Sequence, residues 1–90
     1  MNNWIPVSEK LPDGNGEIYA GCCEESQPVL VYGKDYDGDN AYGIGRYVRD
    51  YSNPKESGWN GYMDFGWDLG ACTVTHWMPL PEPAIKEETT

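Results

Sequence analysis

The chain is expected to be mainly β: one small antiparallel sheet of three to five strands, with long loops and little helix. Three observations predict this. First, Pro28-Val29-Leu30-Val31-Tyr32 is β-branched and aromatic, and apolar on both faces, which is the pattern of a central strand. Second, Asp37-Gly38 marks a hairpin turn, after which Ala41 to Val48 returns antiparallel. Third, Trp4-Ile5-Pro6-Val7 to Leu11-Pro12 and Val74-Thr75-His76-Trp77-Met78-Pro79 place large apolar side chains beside prolines near both ends. Such blocks imply that the two ends meet and close one domain.

The elements follow in order. Residues 4–12 read as an extended opening segment, because Pro6 and Pro12 push Ile5 and Leu11 toward β or polyproline geometry. Ser8-Glu9-Lys10 fits one helical turn between them. Asp13-Gly14-Asn15-Gly16 is a turn, and Glu17 to Ala20 a short strand. Cys22 to Pro28 is polar and reads as a break. On the return strand Tyr42, Ile44, Arg46 and Val48 share one face. Gly43 and Gly45 lie on the other, where a Trp ring could rest on bare backbone. Arg49 to Gly58 reads as a polar loop. Trp59 to Leu69 is aromatic and glycine-rich, and reads as short strands or irregular loop. In the last strand, Ala71 to Met78, Cys72, Val74, His76 and Met78 alternate with Thr73, Thr75 and Trp77. Pro79, Pro81 and Pro83 end pairing. Residues 1–83 are expected to form the domain and 84–90 a disordered tail.

Ninety residues make one domain with a small core, which must lean on four Trp and seven Tyr. The net charge is −9, and it is dispersed: residues 1–45 carry eight acids and two bases, residues 46–90 seven and four. Phosphate backbones and anionic membranes need a basic footprint, so neither direct nucleic-acid binding nor membrane binding is expected. An acidic surface serves solubility or a basic partner. No apolar run approaches the ~20 residues that span a bilayer. Met1-Asn2-Asn3-Trp4 lacks the basic and apolar regions of a signal peptide, so a cytoplasmic location is expected. Cys22, Cys23 and Cys72 are then expected to be reduced thiols.

No constellation carries recognisable chemistry. Asp35-Tyr36-Asp37-Gly38-Asp39-Asn40 imitates the start of a calcium loop. However, Asn40 and Arg46 stand where that loop needs Gly and Glu, so an acidic hairpin turn is expected. Cys72 and His76 would lie ~13 Å apart on a strand, too far to share one metal ion. The adjacent Cys22-Cys23 lacks zinc-knuckle spacing. No cysteine has an obvious activating base. The glycine-rich stretches lack the Lys-Ser/Thr and following helix of a phosphate loop. The chain is therefore expected to be no enzyme and to use neither cofactor nor metal. His76 is expected to be structural and hydrogen-bonded. Trp59, Tyr62, Phe65 and Trp67 build either the core or an exposed aromatic surface rimmed by Asp64 and Asp68, and they form the candidate interaction surface.

The residues Trp4-Ile5, Val7, Leu11-Pro12, Val29 to Tyr32, Ile44-Gly45 and Thr75 to Pro83 resemble, over nearly the whole chain, the "domain of unknown function 551" family of small bacterial and phage proteins. The resemblance implies a phage or prophage accessory protein in a bacterial host, with Trp4, Pro12, His76, Trp77 and Pro79 as structural motif residues. It supplies no activity, cofactor or catalytic residue. Asp13–Gln27 and Arg49–Leu69 depart from the family pattern as loop extensions. The favoured reading is a non-enzymatic module acting through protein–protein contact with a host or phage protein. Its sharper form is an acidic inhibitor of a basic, nucleic-acid-handling or defence protein. The alternatives are a small-ligand binder or enzyme using a site near His76, and a homo-oligomeric structural accessory.

Overall fold

The computed structural model describes residues 3–81, except for the Phe65 side chain; the expected tail at 84–90 and the closing Glu82-Pro83 lie outside the described residues. Seven strands form among the described residues, more than the three to five expected. They are β1 (Ile5–Pro6), β2 (Gly14–Tyr19), β3 (Cys23–Ser26), β4 (Val29–Lys34), β5 (Asn40–Asp50), β6 (Gly58–Met63) and β7 (Thr73–Pro79). All pair antiparallel in one sheet. The remaining regular elements among the described residues are single 3₁₀ turns at Pro54–Glu56, Asp64–Gly66 and Leu69–Ala71.

The eleven-residue β5 is the spine. β4 pairs with its first half, from Lys34 opposite Asn40 to Val29 opposite Gly45. β3 pairs with its second half on the same edge, from Glu25 opposite Val48 to Cys23 opposite Asp50. β6 takes the other edge. Cys22 to Pro28 is thus not a break but mostly a strand. Its polar side chains hid it, and they are tolerated because Cys23, Glu24 and Glu25 keep partial access to water. The true interruption is Gln27-Pro28, where proline has no N–H to give the ladder.

Ser26 bridges that interruption. It is fully buried, and its hydroxyl accepts from Tyr47 N–H at 2.9 Å and donates to Gln27 O at 2.8 Å. Ser26→Ala strands a backbone donor in a dry site, and a loss of about 1–3 kcal/mol is expected in urea unfolding.

The β4–β5 turn is the acidic hairpin the sequence predicts. Asp35 Oδ1 accepts from Asp37 N–H and Asp39 N–H, and Gly38 takes φ of +88°. β2 and β3 turn through Ala20 and Gly21, both at positive φ. Beyond them Glu24 accepts from the Tyr51 hydroxyl and from Gly16 N–H, each at 2.6 Å. These bonds, with Arg49 nearby, hold the Glu24 carboxyl below its ordinary value of 4.5. A depressed folded pKa means that the stabilisation is present above the unfolded value and is lost as pH falls through the folded one. Urea midpoints should therefore drop in acid, below about pH 4.5, more steeply for the native protein than for Glu24→Gln.

β7 carries a bulge that changes which side chains are buried. Tyr32 faces His76, but Gly33 faces Val74, so Thr75 is extra. Val74 and Trp77 therefore both reach the core, while His76 and Met78 go to the opposite face. This overturns the expectation that Val74 shares a face with His76 and Met78, opposite Trp77. The core comprises Val29, Val31, Ala41, Met63, Leu69, Val74 and Trp77. Leu69, 2 % exposed, arrives from the 3₁₀ turn and fills the space over Gly45. That space holds no Trp ring: a Cβ at Gly45 would strike Leu69 Cδ1 and Asn60 O, and one at Gly43 would strike the β6 backbone.

The two ends meet as expected. Ile5 pairs with Trp77 and Pro6 with His76. The Trp77 indole N–H donates to Lys10 O at 2.8 Å. Glu9 and Lys10 N–H both close onto Pro6 O, giving the anticipated single turn. No helix among the described residues is long and apolar enough to cross a membrane.

Candidate functional site

A sheet buries one face when something lies on it. Here Leu69 and Trp67 cover one face, together with Val7 and the chain at Lys10 that Trp77 holds. The opposite face carries two cross-strand rungs. The first runs Pro6–His76–Tyr32–Tyr42 and the second Met78–Leu30–Ile44–Tyr62. Directly opposed residues in antiparallel strands point the same way, so each rung is one continuous row of side chains. Most of its members are apolar or aromatic. Tyr42 is 55 %, Ile44 52 % and Tyr62 64 % exposed.

Trp4 folds over the first rung. Its ring centroid is 6.0 Å from that of Tyr32 and 6.1 Å from that of Tyr42, and the two tyrosines are 5.0 Å apart. Tilted aromatic pairs at these separations attract beyond their area burial. The four side chains Trp4, Tyr32, Tyr42 and His76 line an open hollow of about 320 Å³. The Thr75 hydroxyl donates to Tyr32 O at 3.2 Å and lies 2.9 Å from His76 Nδ1. With its proton on Tyr32 O, the hydroxyl accepts from Nδ1–H, which fixes the ring and leaves Nε2 as an acceptor. His76 is thus hydrogen-bonded on the sheet, and it also borders a hollow.

Charge flanks the rungs. Lys34 Nζ is 2.7 Å from Asn40 Oδ1, and Arg46 lies 3.8 Å from Glu25 in a half-exposed pair. The exposed Arg46–Glu25 ion pair adds little stability.

Cys23 and Cys72 are not poised as nucleophiles, which need a depressed pKa. Cys23 is pushed up to about 11 by its hydrogen bond with Cys22, by burial and by Asp50. Cys72 is raised by burial and by Asp35.

The candidate surface read from Trp59 to Trp67 does not stay together. Trp59 faces the core side, edge-on to Tyr47 at 5.3 Å. Trp67 packs on the core and stacks with Tyr36 at 5.2 Å. Tyr62 alone of the three points to the open face. Asp64 is exposed, and Asp68 accepts from Gly70 N–H within its own turn. The Phe65 side chain lies outside the described residues. Of the motif residues, Pro12 and Trp77 are buried, Trp4 and His76 half-buried beside the hollow, and Pro79 exposed. Sequence reasoning missed Leu30, Tyr32 and Met78. The signal was present: Pro28–Tyr32 is apolar on both faces, and a strand with two apolar faces needs two apolar neighbourhoods.

The family described as "Protein of unknown function (DUF551)" matches residues 3–84. An Eaa protein of Salmonella phage P22 is 29 % identical over 83 residues, which cover 91 % of this chain and 20 % of that protein. The chain therefore spans about a fifth of that relative's length, and the similarity associates it with a phage protein. No solved structure matches it. The chain belongs to the DUF551 family.

Proposed function

We propose that this family member is a non-enzymatic, phage- or prophage-derived binding module that docks a basic protein partner on its open sheet face in the cytoplasm of a bacterial host. The observation that carries the reading is the pair of exposed rungs, with Tyr42, Ile44 and Tyr62 each more than half exposed. Contiguous apolar side chains on an otherwise polar domain mark a contact surface. Aromatics at its centre supply large contact area at low entropic cost.

Charge supports a basic partner. At −9 net, two copies repel, so a partner of opposite sign is favoured over a second copy. Glu25 and Asp50 share a face with the rungs through their pairing with Val48 and Cys23. They would meet the basic rim of a nucleic-acid-handling or defence protein and exclude its usual ligand. The hollow beside His76 favours a second reading, a small ligand held by Trp4, Tyr32 and Tyr42.

The test is affinity capture from nuclease-treated bacterial lysate at two salt concentrations, with the native protein and Tyr42→Ser in parallel. The expected result is a basic protein retained at low salt by the native protein and lost with Tyr42→Ser. Capture that is indifferent to Tyr42, or no capture at either salt, overturns the reading and leaves the hollow as a small-ligand site.

A further inference from the structure

We propose that Cys22, Cys23 and Asp50 form a binding site for one thiophilic divalent cation of the zinc class. One ligand atom from each residue lies within 4.8 Å of the others, and the two sulfurs are 3.2 Å apart. Spacing along the sequence conceals the set, because Asp50 is brought in by its register position opposite Cys23.

The cluster is held from several sides. Cys22 N–H donates to Tyr19 O at 3.1 Å, and Cys22 O accepts from Tyr51 N–H at 2.7 Å. Cys23 is in the ladder. Asp50 Oδ1 accepts from Ser52 N–H at 3.0 Å and Asn53 N–H at 2.9 Å, which orients the carboxylate and leaves its second oxygen for a cation. All three residues are half-buried, so an ion can enter.

The donor chemistry selects the metal. Two sulfurs discriminate against calcium and magnesium, which take oxygen ligands. Zinc–sulfur bonds of about 2.3 Å set tetrahedral sulfurs about 3.8 Å apart, so these thiols, now 3.2 Å apart, need separate by about 0.6 Å. Binding releases the thiol protons and sets the cation's charge against the Asp50 carboxylate. Three protein ligands leave one tetrahedral position open for water.

The reduced protein should be titrated with Co²⁺ and back-titrated with Zn²⁺, following the thiolate-to-cobalt charge-transfer band. The expected result is one equivalent bound and the band bleached by zinc. Cys22→Ser and Cys23→Ser each abolish the band. Asp50→Asn retains the acceptor for Ser52 and Asn53 and weakens cobalt binding by roughly tenfold or more. Cys72→Ser changes nothing. Circular dichroism confirms that each variant is folded before titration. Absence of a thiolate band, its survival in Cys23→Ser, or its loss in Cys72→Ser overturns the proposal. Asp50 lies on the same face as the rungs, but the cobalt titration needs no protein partner and does not involve Tyr42, so this result and the capture experiment fail independently.

Discussion

Trp77→Ala should cost about 3–5 kcal/mol of stability. A small domain holds only about 5–15 kcal/mol in total, so the variant should be substantially unfolded or marginal at room temperature. Trp77 is 6 % exposed and belongs to the core cluster. It faces Val31 on one side and Ile5 on the other, so its ring links the central strand to the opening segment. The indole N–H adds the 2.8 Å bond to Lys10 O. Removing the ring takes away a large buried area and a long-range tie between the two ends at once. Trp77→Phe separates the two effects: most of the packing stays, the hydrogen bond goes, and a loss of about 1 kcal/mol is expected. Urea unfolding followed by far-ultraviolet circular dichroism reads both. A Trp77→Ala loss under about 1 kcal/mol would mean that the two ends are not what closes the domain.

That tie is where the sequence was most legible. Aromatic–proline blocks near both termini implied that the ends meet, and Trp77 meets Ile5 and Lys10. Val29 to Tyr32 and the Asp37-Gly38 turn were equally readable, because strand propensity and turn chemistry agree there. The failures have physical causes. β3 is polar and only its last residue, Ser26, is fully buried, so no apolar alternation marks it and backbone pairing makes it a strand. The extra residue at Thr75 turns the β7 alternation over, and a period-two reading has no means of seeing one inserted residue. The Trp59–Trp67 cluster divided between two faces, because strand β6 points Trp59 and Tyr62 in opposite directions while a 3₁₀ turn carries Leu69 back over Gly45. Half of the open face was readable in Tyr42 and Ile44. Leu30 and Tyr32 lie on a strand that is apolar on both faces, which reads as a central strand without showing which face stays open.

The largest functional effect should come from that face. Tyr42 is 55 % exposed, so Tyr42→Ser should alter stability by no more than about 0.5–1 kcal/mol. Its ring packs against Tyr32 and Trp4, and a central aromatic in a docked interface costs about 2 kcal/mol or more when removed, roughly a thirtyfold loss of affinity. Trp59→Ala should behave in the opposite way. Trp59 packs on the core beside Tyr47, so its loss should lower the urea midpoint while any surviving folded fraction keeps its affinity. Salt adds a third axis. If acidic groups steer a basic partner, raising ionic strength should slow association more than it speeds dissociation, whereas Tyr42→Ser should act mainly on dissociation. Surface plasmon resonance with the captured partner separates these rates. A Tyr42→Ser variant that binds like the native protein, beside a folded Trp59→Ala variant that does not, would move the contact to the covered side of the sheet and remove the open face from the mechanism.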